Sequence, residues 1–158
     1  MLQKITRKKT GAHGGHFAIV ASTYNARYVD AMLRAAKTEI LRAGGTVQII
    51  RVPGAYEIPV VAARLARLST SNQQPAAIIC LGVILRGATT HAQQIGEAVS
   101  NALVQIQIQH EVPVIHEVLL LENEQQAKER CLDQTHNRGT EAAQTALAMA
   151  RVMKSLPG

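Results

Sequence analysis

The segment Gly87-Ala88-Thr89-Thr90-His91 puts a glycine, two hydroxyl residues and an imidazole where the apolar pattern downstream marks the start of a helix. Backbone N–H groups at a helix start have no partner within the helix, and the helix dipole adds a favourable field, so such a turn suits an anion. A plain capped helix uses the same residue types, and the turn alone does not separate the two readings. His91 falls in the first turn, where a side chain can face a bound anion and exchange protons near neutral pH. A lone histidine at a helix start is also a common solvated surface residue.

Late in the chain, Arg130, Arg138 and Glu141 surround the junction before the last helical pattern. A guanidinium fork matches phosphate geometry, which gives Arg130 one role. Arg138 and Glu141, three residues apart, fit a solvated helical pair, and spacing does not choose between these readings. Tyr24 is one of only four aromatic residues, the others being Phe17, Tyr28 and Tyr56. A ring at a strand end is usually a packing residue, yet in a chain this poor in rings Tyr24 is also the obvious surface for a flat heterocycle. His13, His16, His110 and His136 fall in loops or on polar faces and receive no role.

The elements that must position these residues alternate. Phe17–Ala21 reads as a strand buried on both faces, and Val29, Met32, Leu33, Ala36, Ile40 and Leu41 recur at helical spacing before a Gly44-Gly45 stop. Val47–Ile50 is a second strand, and Ile58, Val61, Ala62, Leu65 and Leu68 mark a helix. Ala76–Leu81 is a third strand. Thr90 with Gln93 forms a capping-box pattern for the helix carrying Ile95, Val99, Ala102, Leu103 and Ile106. Val114–Leu121 is a fourth strand, Asn123 with Gln126 a second cap, and Thr140–Met153 a terminal helix. Strands alternating with helices imply a three-layer α/β domain with a parallel sheet. Ligands then collect beyond the carboxyl ends of the strands, in the loops that hold Tyr24, Ala55-Tyr56-Glu57, Val83-Ile84-Leu85 and the turn at Gly87.

The 158 residues carry 17 Lys+Arg against 11 Asp+Glu, a net charge of +6. Five of those cations precede the first acid, Asp30, so the body is nearly neutral behind a basic arm over residues 1–16. That arm is expected to be mobile or laid against a neighbouring subunit. With so few rings, a base-stacking platform for nucleic acid is hard to build. No apolar run approaches the ~20 residues of a membrane span. Cys80 and Cys131 lie far apart without metal-ligand spacing and read as free thiols of a cytoplasmic protein. A Walker loop and a dinucleotide fingerprint are both missing, so ATP and dinucleotides are not expected.

Four segments together resemble one family, the 6,7-dimethyl-8-ribityllumazine synthases of riboflavin biosynthesis: Ser22-Thr23-Tyr24-Asn25, Val52-Pro53-Gly54-Ala55-Tyr56-Glu57-Ile58-Pro59, Leu81 through Arg86-Gly87-Ala88-Thr89-Thr90-His91, and Glu122-Asn123 through Arg130 to Asn137-Arg138-Gly139. They occur in family order from about residue 17 to the last helix. The resemblance implies one flavodoxin-like domain over 17–158 with strand order 2-1-3-4. It also implies a condensation of 5-amino-6-(D-ribitylamino)uracil with 3,4-dihydroxy-2-butanone 4-phosphate that needs no metal or organic cofactor.

Carried over by position, Tyr24 stacks on the pyrimidine, Ala55, Tyr56 and Glu57 contact the ribityl chain, and Val83, Ile84 and Leu85 read the pyrimidine edge. Ala88, Thr89 and Arg130 match the phosphate positions, and His91 matches the proton-transfer residue. His116 stands where many members have Phe, covering the pyrimidine from a neighbouring subunit. Arg138 replaces a usual Lys, Glu141 retains an acid, and Tyr24 replaces Phe or Trp. The family's sites lie between subunits of homo-oligomers built from pentamers. A non-catalytic member that binds a lumazine or flavin, or serves as an assembling shell, would carry the same loops.

Overall fold

The computed structural model describes residues 3–6, 14–68 and 73–158. The first apolar run forms β1 (His16–Ser22), buried from Phe17 onward as a strand covered on both faces must be. Helix α1 (Ala26–Arg42) follows and stops where Gly44 takes φ +81°, as the glycine pair suggests. Then come β2 (Thr46–Val52), a 3-10 turn (Ala55–Glu57), α2 (Ile58–Ala66), β3 (Ala77–Leu85), α3 (His91–His110), β4 (Val114–Leu121), α4 (Glu124–Cys131) and α5 (Arg138–Ser155).

All strand pairs are parallel, and the order is β2-β1-β3-β4, the flavodoxin-like arrangement expected. The two faces of the sheet bury separate cores. Phe17, Ile19, Ile79 and Leu81 pack with Val29, Met32 and Ile40 of α1 and Ala142, Ala146 and Leu147 of α5. On the other side Ala18, Val20, Ile78 and Cys80 meet Ile58 and Ala62 of α2 and Val99 and Leu103 of α3. Each fully buried Val, Leu, Ile, Phe or Met side chain among these contributes roughly 1.5–3 kcal/mol of transfer free energy. Helices α1 and α5 approach so closely that a Cβ on Gly139 would fall 2.0 Å from the Met32 carbonyl oxygen, so only glycine fits there.

Several local expectations are corrected. The third strand runs to Leu85, four residues past Leu81, so Val83, Ile84 and Leu85 belong to β3 itself and not to the loop after it. Gly82 does not end the strand; a Cβ there would meet Val118 Cγ1 at 3.2 Å and Ile58 Cδ1 at 3.3 Å, so the glycine admits its packing neighbours. Thr90 is the N-cap of α3 but its side chain makes no capping bond, and Gln93 turns instead to Glu97 at 2.9 Å. The Asn123 cap does form, its Oδ1 accepting from Gln126 N at 2.9 Å. Helix α2 ends before Leu68, and the terminal helix begins at Arg138, two residues before Thr140.

Of the arm expected over 1–16, residues 1, 2 and 7–13 lie outside the described residues. Ile5 N donates to the Thr135 carbonyl at 3.0 Å and Gln144 Nε2 donates to the Thr6 carbonyl at 3.2 Å. Residues 3–6 are therefore laid against their own chain and not free.

Candidate functional site

The turn after β1 is fastened on two sides. Thr23 N donates to the Val52 carbonyl at 2.8 Å and Tyr24 N to the Pro53 carbonyl at 3.0 Å, tying the turn to the end of β2. Asn25 sits in the left-handed region at φ +57°, which asparagine tolerates better than most residues, and its Nδ2 donates to the Val83 carbonyl at 2.7 Å. Held between β2 and β3, Tyr24 projects with 73% of its surface exposed. A ring so anchored and so bare is available to stack on a flat ligand.

Beyond the ends of β1 and β3 opens a cleft of about 950 Å³. Tyr24, Ala55, Tyr56, Glu57, Val83, Ile84, Leu85, Thr89 and His91 all line it, so nine of the residues singled out from the sequence are brought together. Ala88 lies between lining residues Gly87 and Thr89 in the same turn. The 3-10 turn presents Tyr56 and Glu57 outward, with Glu57 N donating to the Gly54 carbonyl at 3.3 Å. Among the described residues no cation pairs with the Glu57 carboxylate, which leaves it free to accept hydroxyl donors. His91 opens α3, its backbone N donating to Thr89 Oγ1 at 3.4 Å. Its imidazole has no hydrogen-bond partner among the described residues and faces the cleft with both nitrogens available. With the Thr90 side chain not folding back, the Ala92 and Gln93 amides of the first turn stay open to an anion, while that of His91 is taken by Thr89.

Arg130 and His116 are not in this cleft. Arg130, near the end of α4, lines a second depression with Lys4, His136, Arg138, Glu141 and Arg151, and among the described residues it forms no ion pair. His116, exposed on β4, faces α3 beside Arg86, Glu97, Ser100 and Asn101. Arg86 itself is held by Glu122 at 3.1 Å.

Arg138 departs from the solvated pair the spacing suggested. Its Nη1 meets Glu141 Oε2 at 2.6 Å, and its Nε and Nη2 also reach Glu117 Oε2 and Oε1 at 3.2 and 3.0 Å. Burial pushes the Glu117 carboxyl above the ordinary range, and the Arg138 hydrogen bonds and charge partly offset this. With two carboxylates on one guanidinium, Arg138 is occupied internally, whereas Arg130 has no ion pair among the described residues and can take an anion. Glu117 was not singled out from the sequence, although an acid inside the run Val114–Leu121 was a signal that a buried cation must meet it. The thiols of Cys80 and Cys131 are buried and pushed up to about 12, by desolvation first.

The fold and the cleft define a flavodoxin-like α/β domain with a ligand site at the carboxyl ends of its strands. Residues 14–154 match the 6,7-dimethyl-8-ribityllumazine synthase family. Proteins bearing that name are similar along nearly their whole length. That of Stenotrophomonas maltophilia is 37% identical over 144 residues, covering 89% of this chain and 90% of the relative. That of Desulfotalea psychrophila is 36% identical over 148 residues, covering 92% and 93%. That of Xanthomonas oryzae pv. oryzae is 38% identical over 144 residues, covering 89% and 91%. The chain belongs to the 6,7-dimethyl-8-ribityllumazine synthase family, a family of transferases.

Proposed function

We propose that the protein condenses 5-amino-6-(D-ribitylamino)uracil with 3,4-dihydroxy-2-butanone 4-phosphate to give 6,7-dimethyl-8-ribityllumazine, phosphate and water, the penultimate step of riboflavin biosynthesis. The observation that carries this reading is the convergence of Tyr24, Glu57, the β3 end and His91 on one cleft. The pyrimidine stacks on Tyr24, with its edge along Val83-Ile84-Leu85, while Ala55, Tyr56 and Glu57 take the ribityl chain. The phosphate lies on the amides of the Ala88-Thr89 turn and is matched by Arg130.

The pyrimidine amine attacks the ketone to give a carbinolamine and then an imine. Phosphate leaves by elimination, and the ribitylamino nitrogen closes the ring with loss of water. Each step moves a proton, which the unpaired His91 imidazole relays. Cationic and N–H donors stabilise the departing phosphate. Holding the two reactants together supplies much of the remaining acceleration, an effect worth up to ~10 kcal/mol in well-oriented systems. No step calls for a metal or an organic cofactor.

The site is completed between subunits of a homo-oligomer built from pentamers. The position of Arg130 and His116 outside the cleft of their own chain supports this, since a neighbour can supply both. Residues 17–158 act as one domain behind the basic arm 1–16, with Arg138 and Glu141 in a supporting role. Small molecules and copies of the chain are the partners, not nucleic acid or membrane, and the protein works in the cytoplasm. No described helix is long and apolar enough to cross a membrane.

Incubation with both substrates tests the proposal directly. Lumazine absorbance and fluorescence should appear together with one equivalent of phosphate. Tight binding of the pyrimidine or of lumazine without turnover would make the protein a carrier or shell instead.

A further inference from the structure

Strand β4 is an outer strand of the sheet, so N–H groups on its free edge meet no neighbouring strand. Side chains take two of them. Gln107 Oε1 accepts from Val114 N at 2.9 Å, and His116 Nδ1 accepts from Val118 N at 3.1 Å. On the far side of the ring, His116 Nε2 lies 2.7 Å from Ser100 Oγ, whose own proton goes to the Gly96 carbonyl at 2.8 Å.

These contacts settle where the ring proton is. A backbone N–H can only donate, so Nδ1 presents its lone pair to Val118. With its single proton committed to Gly96, the Ser100 hydroxyl can only accept, so Nε2 carries the hydrogen. Two independent contacts thus select the same neutral tautomer and fix the ring plane. Desolvation of the ring also lowers the His116 pKa, in the same sense.

We propose that Ser100 is a positioning residue which, with the Val118 amide, locks His116 as a neutral Nε2–H imidazole, and that protonation releases the ring and weakens pyrimidine binding in the neighbouring cleft. The lock is a property of this chain alone; its effect on substrate rests on the function proposed above. Protonating Nδ1 sets an N–H against the Val118 N–H, two donors face to face, so the ring must leave the strand edge.

The charged and titratable groups around the ring do not replace this contact. Glu97 of α3 accepts from Gln93 Nε2 at 2.9 Å, and Arg86 beyond β3 is held by Glu122. Cys80, the register partner of His116 on β3, is a buried thiol pushed up to about 12. Glu117, next in the chain, is held by Arg138. Among the described residues none of these hydrogen-bonds the imidazole.

Nitrogen-15 NMR of the assembled protein tests the lock. The His116 ring should show Nε2 protonated and Nδ1 bare near neutral pH, with a titration below that of an ordinary histidine. An Nδ1–H or mixed ring, or an ordinary titration, overturns the lock whatever the enzyme does. Kinetics test the consequence. Ser100→Ala should raise the KM for the pyrimidine about fivefold, the factor given by one ordinary hydrogen bond, with kcat unchanged. Ser100→Thr, which keeps the hydroxyl, should restore it. Wild-type KM should climb as pH falls through the His116 titration, and His116→Phe should hold it level. An unchanged KM in Ser100→Ala, or the same climb in His116→Phe, overturns the coupling to substrate. If the wild-type protein forms no lumazine, the catalytic reading fails separately, and calorimetric titration of the pyrimidine over the same variants and pH values decides the coupling.

Discussion

The Arg138 guanidinium forks onto the Glu117 carboxylate, Nε to Oε2 at 3.2 Å and Nη2 to Oε1 at 3.0 Å, joining the start of α5 to the middle of β4. Glu117 is only 6% exposed, so its charge has little water to fall back on. Removing one member of such a pair leaves a buried charge uncompensated, and Arg138→Ala should cost about 3 kcal/mol in urea unfolding. The pH dependence has a definite sign. Burial already raises the Glu117 carboxyl in the folded state, and losing Arg138 raises it further. A carboxyl that titrates higher folded than unfolded contributes stability below its unfolded pKa and loses it as pH rises through the folded one. The deficit of Arg138→Ala should therefore shrink as the solution is acidified through the carboxylate range; a deficit that grows toward acid would show that Glu117 is not its source.

His91 opens α3 with an exposed imidazole that no described residue engages, so nothing in the fold depends on it. His91→Ala should unfold at the wild-type urea midpoint while kcat falls about a hundredfold, the lower end of what general acid–base catalysis contributes. Wild-type turnover by this variant across the neutral pH range would remove His91 from the mechanism.

Much of this arrangement was legible in the residues, and the parts that were not have physical reasons. Apolar periodicity located all four strands because three of them are buried runs and Thr46–Val52 sits between a glycine stop and Pro53. The end of β3 was missed because Gly82 looks like a break in a one-dimensional pattern; only the approach of Val118 and Ile58 explains a glycine inside a strand. Thr90 and Gln93 have the right types for a capping box, but Gln93 finds Glu97 one turn on, a competition that spacing does not reveal. The cleft residues were legible through the joint occurrence of four loop segments. The Glu117–Arg138 pair, 21 residues apart, and the Ser100–His116 contact are tertiary, and neither partner's local sequence names the other.

Tyr24 is anchored by its backbone and bare at its ring, which separates binding from stability. Tyr24→Ala should raise the KM for the pyrimidine about tenfold, within the range of one lost ring-on-base stack, and leave the KM for the butanone phosphate alone. Tyr24→Phe should behave as wild type, since the stack needs the ring and not the hydroxyl. Equal, small effects of Tyr24→Ala on both substrates in steady-state kinetics would place the pyrimidine elsewhere.

Arg130 and His91 line different depressions of one chain, the first beside α4 and α5 and the second at the head of α3. If one site needs both, each subunit must lend Arg130 to a neighbour's cleft, a head-to-tail contact that closes into a ring. Arg130→Ala should raise the KM for the butanone phosphate and spare the KM for the pyrimidine. The sharper measurement mixes the two impaired proteins. Arg130→Ala subunits keep an intact cleft, and His91→Ala subunits keep an intact Arg130. After the two are dissociated together and reassembled in equal amounts, about a quarter of the random junctions pair an intact cleft with an intact arginine. Assayed at a butanone phosphate concentration far below the KM of Arg130→Ala, the mixture should recover about that share of wild-type activity. Activity no higher than the mean of the two variants would mean that Arg130 serves its own chain's cleft, and the shared site would be wrong.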